Sequence, residues 1–196
     1  MNPSLCSFLI IAALLTGPSV LFAATDTPKR IPFDGRNWIV GSHDANEQQT
    51  ITEYVPEGET VDNWTELVTI SEFFGLQDQI TPTQLMTSMM QMAEENCSGV
   101  KKNILQTEGT ESILFEWETK GCKAEIPGGS APEFDISRII VGKDRIFIMQ
   151  HASKKALTAE KRDQWIMIIS SSVFDGTANG KKSFKNVPAA NQKGTP

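Results

Sequence analysis

Alternation of polar and apolar residues predicts that the domain begins with three strands. Residues 49–55 alternate strictly and are rich in β-branched and aromatic side chains, which is typical of a strand. Residues 36–42 precede them across a polar turn, so the two segments are predicted to form a hairpin. Residues 64–74 are the most regular of the predicted strands, and Gly75 marks their end.

Apolar side chains at three- and four-residue spacing then predict a helix. Thr81 is placed to cap it, and Pro82 suits its first position because that position needs no N–H donor. Ser98 and Gly99 provide the stop signal. A stripe of this kind is typical of a helix that packs on a sheet. Its members are Leu85, Met86, Met89, Met90 and Ala93.

Four more strands and a second helix follow. Turn signals divide the strands into two hairpins, and a Gly- and Pro-rich loop at residues 126–132 joins the hairpins. The strands are predicted at residues 103–107, 112–119, 134–141 and 145–151. Thr158 is predicted to cap the second helix, which continues to about Val173. Its apolar face consists of Trp165, Ile166, Ile169 and Val173.

The order of elements is three strands, a helix, four strands and a helix, with hairpins throughout. Because no βαβ pattern repeats, this order predicts an α+β fold, a mostly antiparallel sheet of about seven strands with two main helices packed on it. All four tryptophans fall within regular elements and are expected in the core. They are Trp38, Trp64, Trp117 and Trp165.

The start of the chain is predicted to be a signal peptide. Residues 1–23 contain an uncharged apolar run, shorter than the about 20 residues that span a bilayer, and end in small residues suited to a signal peptidase. An uncleaved anchor is the alternative, because no Lys or Arg precedes the run. Cleavage predicts a secreted or periplasmic protein without a stable membrane span. A linker at residues 24–32, one domain at 33–175 and a disordered Lys-rich tail at 176–196 are then expected.

Cleavage also leaves two of the three cysteines, Cys97 and Cys122. An even number of cysteines in an oxidising compartment favours a disulfide between them. Two free buried thiols and half of a metal site are the alternatives, and neither has support from a neighbouring His or a further Cys.

The formal net charge of −6 argues against nucleic acid and anionic membranes as the main partner. The charge is uneven along the chain, because the tail carries only basic residues. The domain itself is therefore more acidic than the whole chain. The basic residues of the tail are Lys181, Lys182, Lys185 and Lys193.

Two short stretches resemble a known superfamily. They are residues 63–70 (Asn-Trp-Thr-Glu-Leu-Val-Thr-Ile), before the Met-rich helix, and residues 162–166 (Arg-Asp-Gln-Trp-Ile), near the end. Together with the order of elements over residues 33–175, they resemble the Mog1/PsbP-like superfamily and small exported proteins of Gram-negative bacteria. The resemblance implies an α/β/α sandwich whose members mainly bind other proteins or assist assemblies. It assigns no catalytic residue to this chain.

Candidate catalytic residues are few. His43 is expected to be a solvated turn residue, and His151 a hydrogen-bonded strand residue whose replacement alters stability alone. A Ser–His–Asp site from His151, Asp135 and one of residues 170–172 is the alternative, but the chain has no Gly-x-Ser-x-Gly motif. No catalytic residue is predicted, and the chain is expected not to be an enzyme.

Cofactor and metal motifs are also missing from the sequence. Gly128-Gly129 lacks the following Lys of a phosphate loop, and Asp34, His43 and Asp44 are expected to be ordinary turn residues. The Met-rich stripe is expected to be core first, with partner binding as the alternative. We therefore expect no cofactor and no metal.

A possible interaction face is acidic. Glu66, Glu116 and Glu118 are predicted on strands of one sheet, where they would receive a basic partner, although a solvated sheet face is the simpler interpretation. The leading hypothesis is an exported, non-enzymatic protein-interaction module whose partner is another protein. The alternatives are a secreted effector or hydrolase with a site around His151, and a carrier of a small apolar ligand between the sheet and the Met-rich helix.

Overall fold

The computed structural model describes residues 33–123 and 129–174. They form a seven-stranded antiparallel sheet in the order β1-β2-β3-β9-β8-β6-β5, two helices and a separate two-stranded ladder. This architecture confirms the predicted α+β class. In chain order the elements are β1 (Trp38–Ala45), β2 (Gln49–Pro56), β3 (Glu66–Phe74), α1 (Pro82–Asn96), β4 (Cys97–Ser98), β5 (Lys101–Glu108), β6 (Ser112–Thr119), β7 (Gly121–Cys122), β8 (Glu133–Val141), β9 (Arg145–Ser153) and α2 (Ala159–Ser170).

The two helices cover opposite faces of the sheet. We call these the α1 face and the α2 face, after the helix that packs on each. Successive residues of a strand point to opposite faces, so Ile148 packs with the methionines of α1 and Met149 packs with Trp165 of α2. The central strand β9 is therefore buried on both sides, and every residue after Arg145 in it is buried.

Local sequence signals place α1 as predicted. The Thr81 hydroxyl accepts a hydrogen bond from the Gln84 N–H, and the Gln84 side chain accepts one from the Thr81 N–H, which completes a capping box. The apolar stripe lies on the sheet, with Met89 and Met90 at 2 % and 0 % exposure.

The second helix is shorter than predicted. It ends at Ser170 instead of near Val173, and the Ser171 and Ser172 hydroxyls bond back to the Ile168 carbonyl. Serine hydroxyls compete for helix carbonyls in this way and favour termination. Val173 is consequently exposed, which corrects its predicted place on the apolar face.

A disulfide joins Cys97 to Cys122, as the sequence predicts. The two cysteines face each other in the short β4–β7 ladder, which the sequence analysis did not predict. The bond ties the end of α1 to the segment that leads into β8.

Three tryptophans are buried as expected, and Trp64 is only partly buried. The predicted signal peptide, linker and Lys-rich tail lie outside the described residues, as does part of the loop at residues 126–132. Across the two described ranges, neither helix has the length and apolar character needed to traverse a bilayer.

Candidate functional sites

Four ionisable side chains are linked at one end of the α2 face, and all but Arg36, which is 38 % exposed, are largely buried. We call Asp34, Arg36, Glu66 and His151 the ion-pair network. The Arg36 guanidinium donates two hydrogen bonds to the Glu66 carboxylate, at 3.0 and 2.8 Å, and its Nε donates to Asp34 at 2.6 Å. His151 Nε2 lies 3.0 Å from Glu66 Oε2. Bidentate contacts of this kind are among the strongest that side chains make.

The ion-pair network determines the protonation of its members. Burial alone would raise the pKa of Glu66, but the hydrogen bonds from His151 and Arg36 outweigh burial and lower that pKa to about 2. Burial lowers the pKa of His151 more than Glu66 raises it. His151 is therefore neutral at pH 7, and its Nε2–H donates to the ionised Glu66.

His151 has no access to solvent. Its side chain is 0 % exposed, and its ring stacks on Trp165 with the centroids 3.9 Å apart. Trp38 packs edge-on against the Trp165 ring, and the Trp38 indole N–H donates a hydrogen bond to Asp34. The surroundings of His151 are those of a structural residue, which is the role that the sequence analysis expects.

The imagined Ser–His–Asp site is not assembled in the described residues. Asp135 pairs in register with Ala152, one residue beyond His151, so its side chain lies on the α1 face while His151 lies on the α2 face. The Ser172 hydroxyl bonds to the Ile168 carbonyl and to Met149 Sδ. The sheet itself separates the acid from the base.

The three acids of the predicted interaction face do lie on one face, the α2 face, but each is already paired. Glu66 belongs to the ion-pair network, Glu116 accepts two hydrogen bonds from Arg162, and Glu118 bonds to Lys101 at 2.6 Å. The hydrogen bonds from Arg162 lower the pKa of Glu116. Intramolecular cations thus occupy the positions that a basic partner would need.

A second group of buried polar side chains lies on the α1 face, and we call it the polar cluster. Adjacent strands place its members side by side: Gln150 faces Ser137, and Asp135 faces Trp117. Within the described part of the chain, each member has one buried atom without a hydrogen-bond partner. These atoms are Ser71 Oγ, Trp117 Nε1, Thr119 Oγ1, Asp135 Oδ2, Ser137 Oγ and Gln150 Oε1.

Such a concentration is unusual, because most buried polar atoms in proteins are hydrogen-bonded. All six residues are at most 9 % exposed. The hydrogen bond that links members of the cluster runs from Gln150 Nε2 to Asp135 Oδ1. Burial raises the pKa of Asp135 well above its ordinary value, and the charge of Glu133 raises it further.

One end of the polar cluster is bordered by an ion pair. Glu133 bonds to Lys154 at 3.2 Å, and the Lys154 ammonium lies 3.9 Å from the centre of the Trp64 ring. Both charged side chains are partly accessible, at 11 % and 19 %. The ion pair therefore lies between the buried cluster and solvent.

Asp135→Asn is expected to stabilise the protein against unfolding at pH 8 by about 1 kcal/mol or more. The folded pKa of Asp135 is raised, so the stability of the parent protein is fully present below the unfolded pKa, near 3.8, where the carboxyl is neutral in both states. That stability is lost as pH rises through the folded pKa, because the carboxyl ionises more easily in the unfolded chain. Urea unfolding at pH 8 and pH 4 measures the difference, which should shrink at pH 4. Asp163→Asn, at a side chain 73 % exposed, is the matched control and should change little. An unchanged midpoint for Asp135→Asn at pH 8 would contradict the burial argument.

One of the two edges of the sheet, the one formed by β5, is a third feature. β5 pairs with β6 and is the last strand of the sheet, and all of its residues except Leu105 are exposed. Its pairing is interrupted by an irregularity between Ile104 and Gln106. Ile104 is 51 % exposed, although it is a large apolar side chain.

Among the described residues, no group of three or more His, Cys, Asp and Glu side chains is placed to hold a metal ion. His43 is exposed on β1 and contacts the Thr52 hydroxyl across the strand pair at 2.9 Å. It belongs to a strand and not to the predicted turn, because the hairpin turn begins only after Ala45.

The sequence patterns did not single out Arg36 of the ion-pair network, nor four members of the polar cluster, Ser71, Thr119, Ser137 and Gln150. Arg36 precedes β1 and reaches Glu66 across 30 positions, so no local pattern connects them. Gln150 stands in an otherwise apolar run, Ile146–Met149, and that interruption was the available signal. A polar side chain inside a strand buried on both faces requires a polar neighbour.

Comparison with known protein families matches residues 25–162 to a small, uncharacterised family. The match covers more than half of the 196 residues, so the chain belongs to this family. It includes the ion-pair network, the polar cluster and the disulfide. Nothing in the match links the family to the Mog1/PsbP-like superfamily or to Gram-negative bacteria. No curated protein matches the chain.

Proposed function

We propose that this chain is an exported, non-enzymatic interaction module whose strand β5 receives an extended segment of another protein. The observation that carries the proposal is the exposure of β5, an eight-residue edge strand of which seven residues are exposed. An exposed edge offers backbone donors and acceptors to an incoming strand.

Features of β5 restrict the partner. Lys101 and Lys102 at its start and the irregularity after Ile104 oppose indiscriminate pairing, as on other edge strands. Ile104 faces Phe115 in register and so belongs to the α1 face of the edge. A partner strand with an apolar residue opposite Ile104 fits this edge best.

The two alternatives from the sequence have weaker geometric support. A hydrolase around His151 would need this side chain in contact with solvent and with Asp135, and the described structure provides neither. An apolar carrier would need space beneath the Met-rich helix. There the side chains of α1 pack against buried Phe73, Ile113 and Phe115.

Ile104→Lys is expected to reduce capture of the partner at least tenfold, because it adds a charge where the incoming strand would lie. Purified protein is immobilised and exposed separately to periplasmic extract and to culture medium of the source cells, and captured proteins are quantified by mass spectrometry. Capture of a partner from periplasmic extract or from culture medium would also support the proposed export.

Met167→Lys is the matched control, because Met167 is equally apolar and 54 % exposed but lies on α2. It should leave capture unchanged. Capture of nothing under several conditions, or equal loss in both variants, would overturn the role of β5.

A further inference from the structure

We propose that the polar cluster binds a small organic cation that carries a primary ammonium group and a hydroxyl group. This inference is independent of strand β5 and of any protein partner. It rests on the composition, burial and charge of one contiguous patch on the α1 face of the sheet.

Short side chains lie beside Gln150 and Asp135 on the α1 face. Ser71, Ser137 and Ala152 are among the side chains in its middle, and all three are at most 1 % exposed. Short side chains at the centre of a covered sheet face reach only part of the distance to the covering layer. The unpartnered atoms of the neighbouring Gln150 and Asp135 belong to this same region.

Charge selects a cation. Two acids, Asp135 and Glu133, lie at alternate positions of β8 on this face, and Asp135 is the more deeply buried of the two. Lys154 bonds to Glu133, while the described contact of Asp135 is the neutral amide of Gln150. A bound ammonium group would supply the positive charge that a buried carboxylate requires.

Hydrogen bonding selects the ammonium and the hydroxyl. An ammonium group has three donors, and the cluster offers it Asp135 Oδ2, Gln150 Oε1 and the Ser137 hydroxyl. The indole N–H of Trp117 donates only and therefore needs an acceptor. A hydroxyl oxygen on the ligand provides one. Ordered water alone is the competing occupant.

Binding should release a proton. Burial raises the pKa of the Asp135 carboxyl well above its ordinary value, and a bound ammonium group opposes that shift because it favours the ionised form. The proton that the carboxyl then gives up passes to the buffer. Calorimetry in two buffers of different ionisation enthalpy detects this release.

The test is titration of the purified full chain with ethanolamine at pH 7.5, with ethylene glycol as the uncharged probe of matched shape. We expect ethanolamine to bind at least tenfold more tightly than ethylene glycol, to release a proton and to shift the Trp117 indole N–H resonance, assigned with Trp117→Phe. Asp135→Asn should weaken ethanolamine binding at least tenfold while the variant remains folded. Asp163→Asn should bind like the parent protein.

Each contrary result overturns the proposal. Equal binding of both probes, or no change at the Trp117 resonance, would indicate that the cluster holds water or a neutral molecule. Displacement of ethanolamine by millimolar Na⁺ or K⁺ would indicate an inorganic cation site. Unaltered binding to a folded Asp135→Asn variant would place the cation elsewhere.

Discussion

Glu66→Gln is expected to lower the free energy of unfolding by about 2 kcal/mol at pH 7, because it removes the carboxylate to which Arg36 and His151 donate, and hydrogen bonds to a charged group are stronger than neutral ones. Arg36 keeps its contact with Asp34. Glu66 is 13 % exposed and accepts hydrogen bonds from Arg36 and His151. Glutamine keeps the size of the side chain but loses the charge and turns donors toward Arg36. Urea unfolding followed by tryptophan fluorescence measures the loss, and Trp165 and Trp38 lie against the network and report on it.

Glu118→Gln is the matched control. Glu118 also pairs with a base, but its partner Lys101 is 72 % exposed, and surface pairs of this kind contribute about 0–1 kcal/mol. Equal effects of the two substitutions would show that the ion-pair network contributes no more than a surface contact.

The same network predicts the direction of acid sensitivity. The folded pKa of Glu66 is lowered to about 2 from 4.5, so its contribution is complete above 4.5 and is lost as pH falls toward 2. The pKa of His151 is also lowered, so the stability that neutral His151 contributes begins to be lost as pH falls below 6.5. Glu66→Gln should therefore differ most from the parent protein above pH 4.5 and converge with it near pH 2.

Removing the disulfide is the second large change. The double variant Cys97→Ser, Cys122→Ser is expected to lose about 3 kcal/mol, because the crosslink closes a loop with a sequence separation of 25 and restricts the unfolded chain. Urea unfolding of the parent protein with and without dithiothreitol should show the same loss. The double variant, as the control, should not respond to dithiothreitol. A double variant as stable as the oxidised protein would contradict this expectation.

Sequence patterns predicted the order and type of the main elements because alternation and helical spacing act over a few residues. They also identified the disulfide, since the predicted signal peptide leaves two cysteines. The end of α2 was missed because Ile166, Ile169 and Val173 continue a helical spacing. The local competition of the Ser171 and Ser172 hydroxyls stops the helix first.

The buried sites were less predictable, since they depend on register between distant strands. Residues 146–149 of β9 are apolar on both faces, and β8 carries polar side chains at alternate positions, so the sequence does not indicate which helix covers the face of Asp135 or of His151. Likewise, the acids at 66, 116 and 118 lie on one face, but the cations that pair with them come from 17 to 46 positions away. Long-range pairing of this kind leaves no local pattern.

The adjacent pair Gln150 and His151 has one further consequence, for the fidelity of strand alignment. Ile146 and Ile148 lie on the α1 face, and Phe147 and Met149 lie on the α2 face. A slip of β9 by one position would therefore replace apolar side chains with apolar side chains on both faces, at a small cost in free energy. The same slip would bring Gln150 against Trp165 and move His151 away from Glu66. Two neighbouring polar residues thus penalise misalignment at the middle of the sheet, where hydrophobicity cannot.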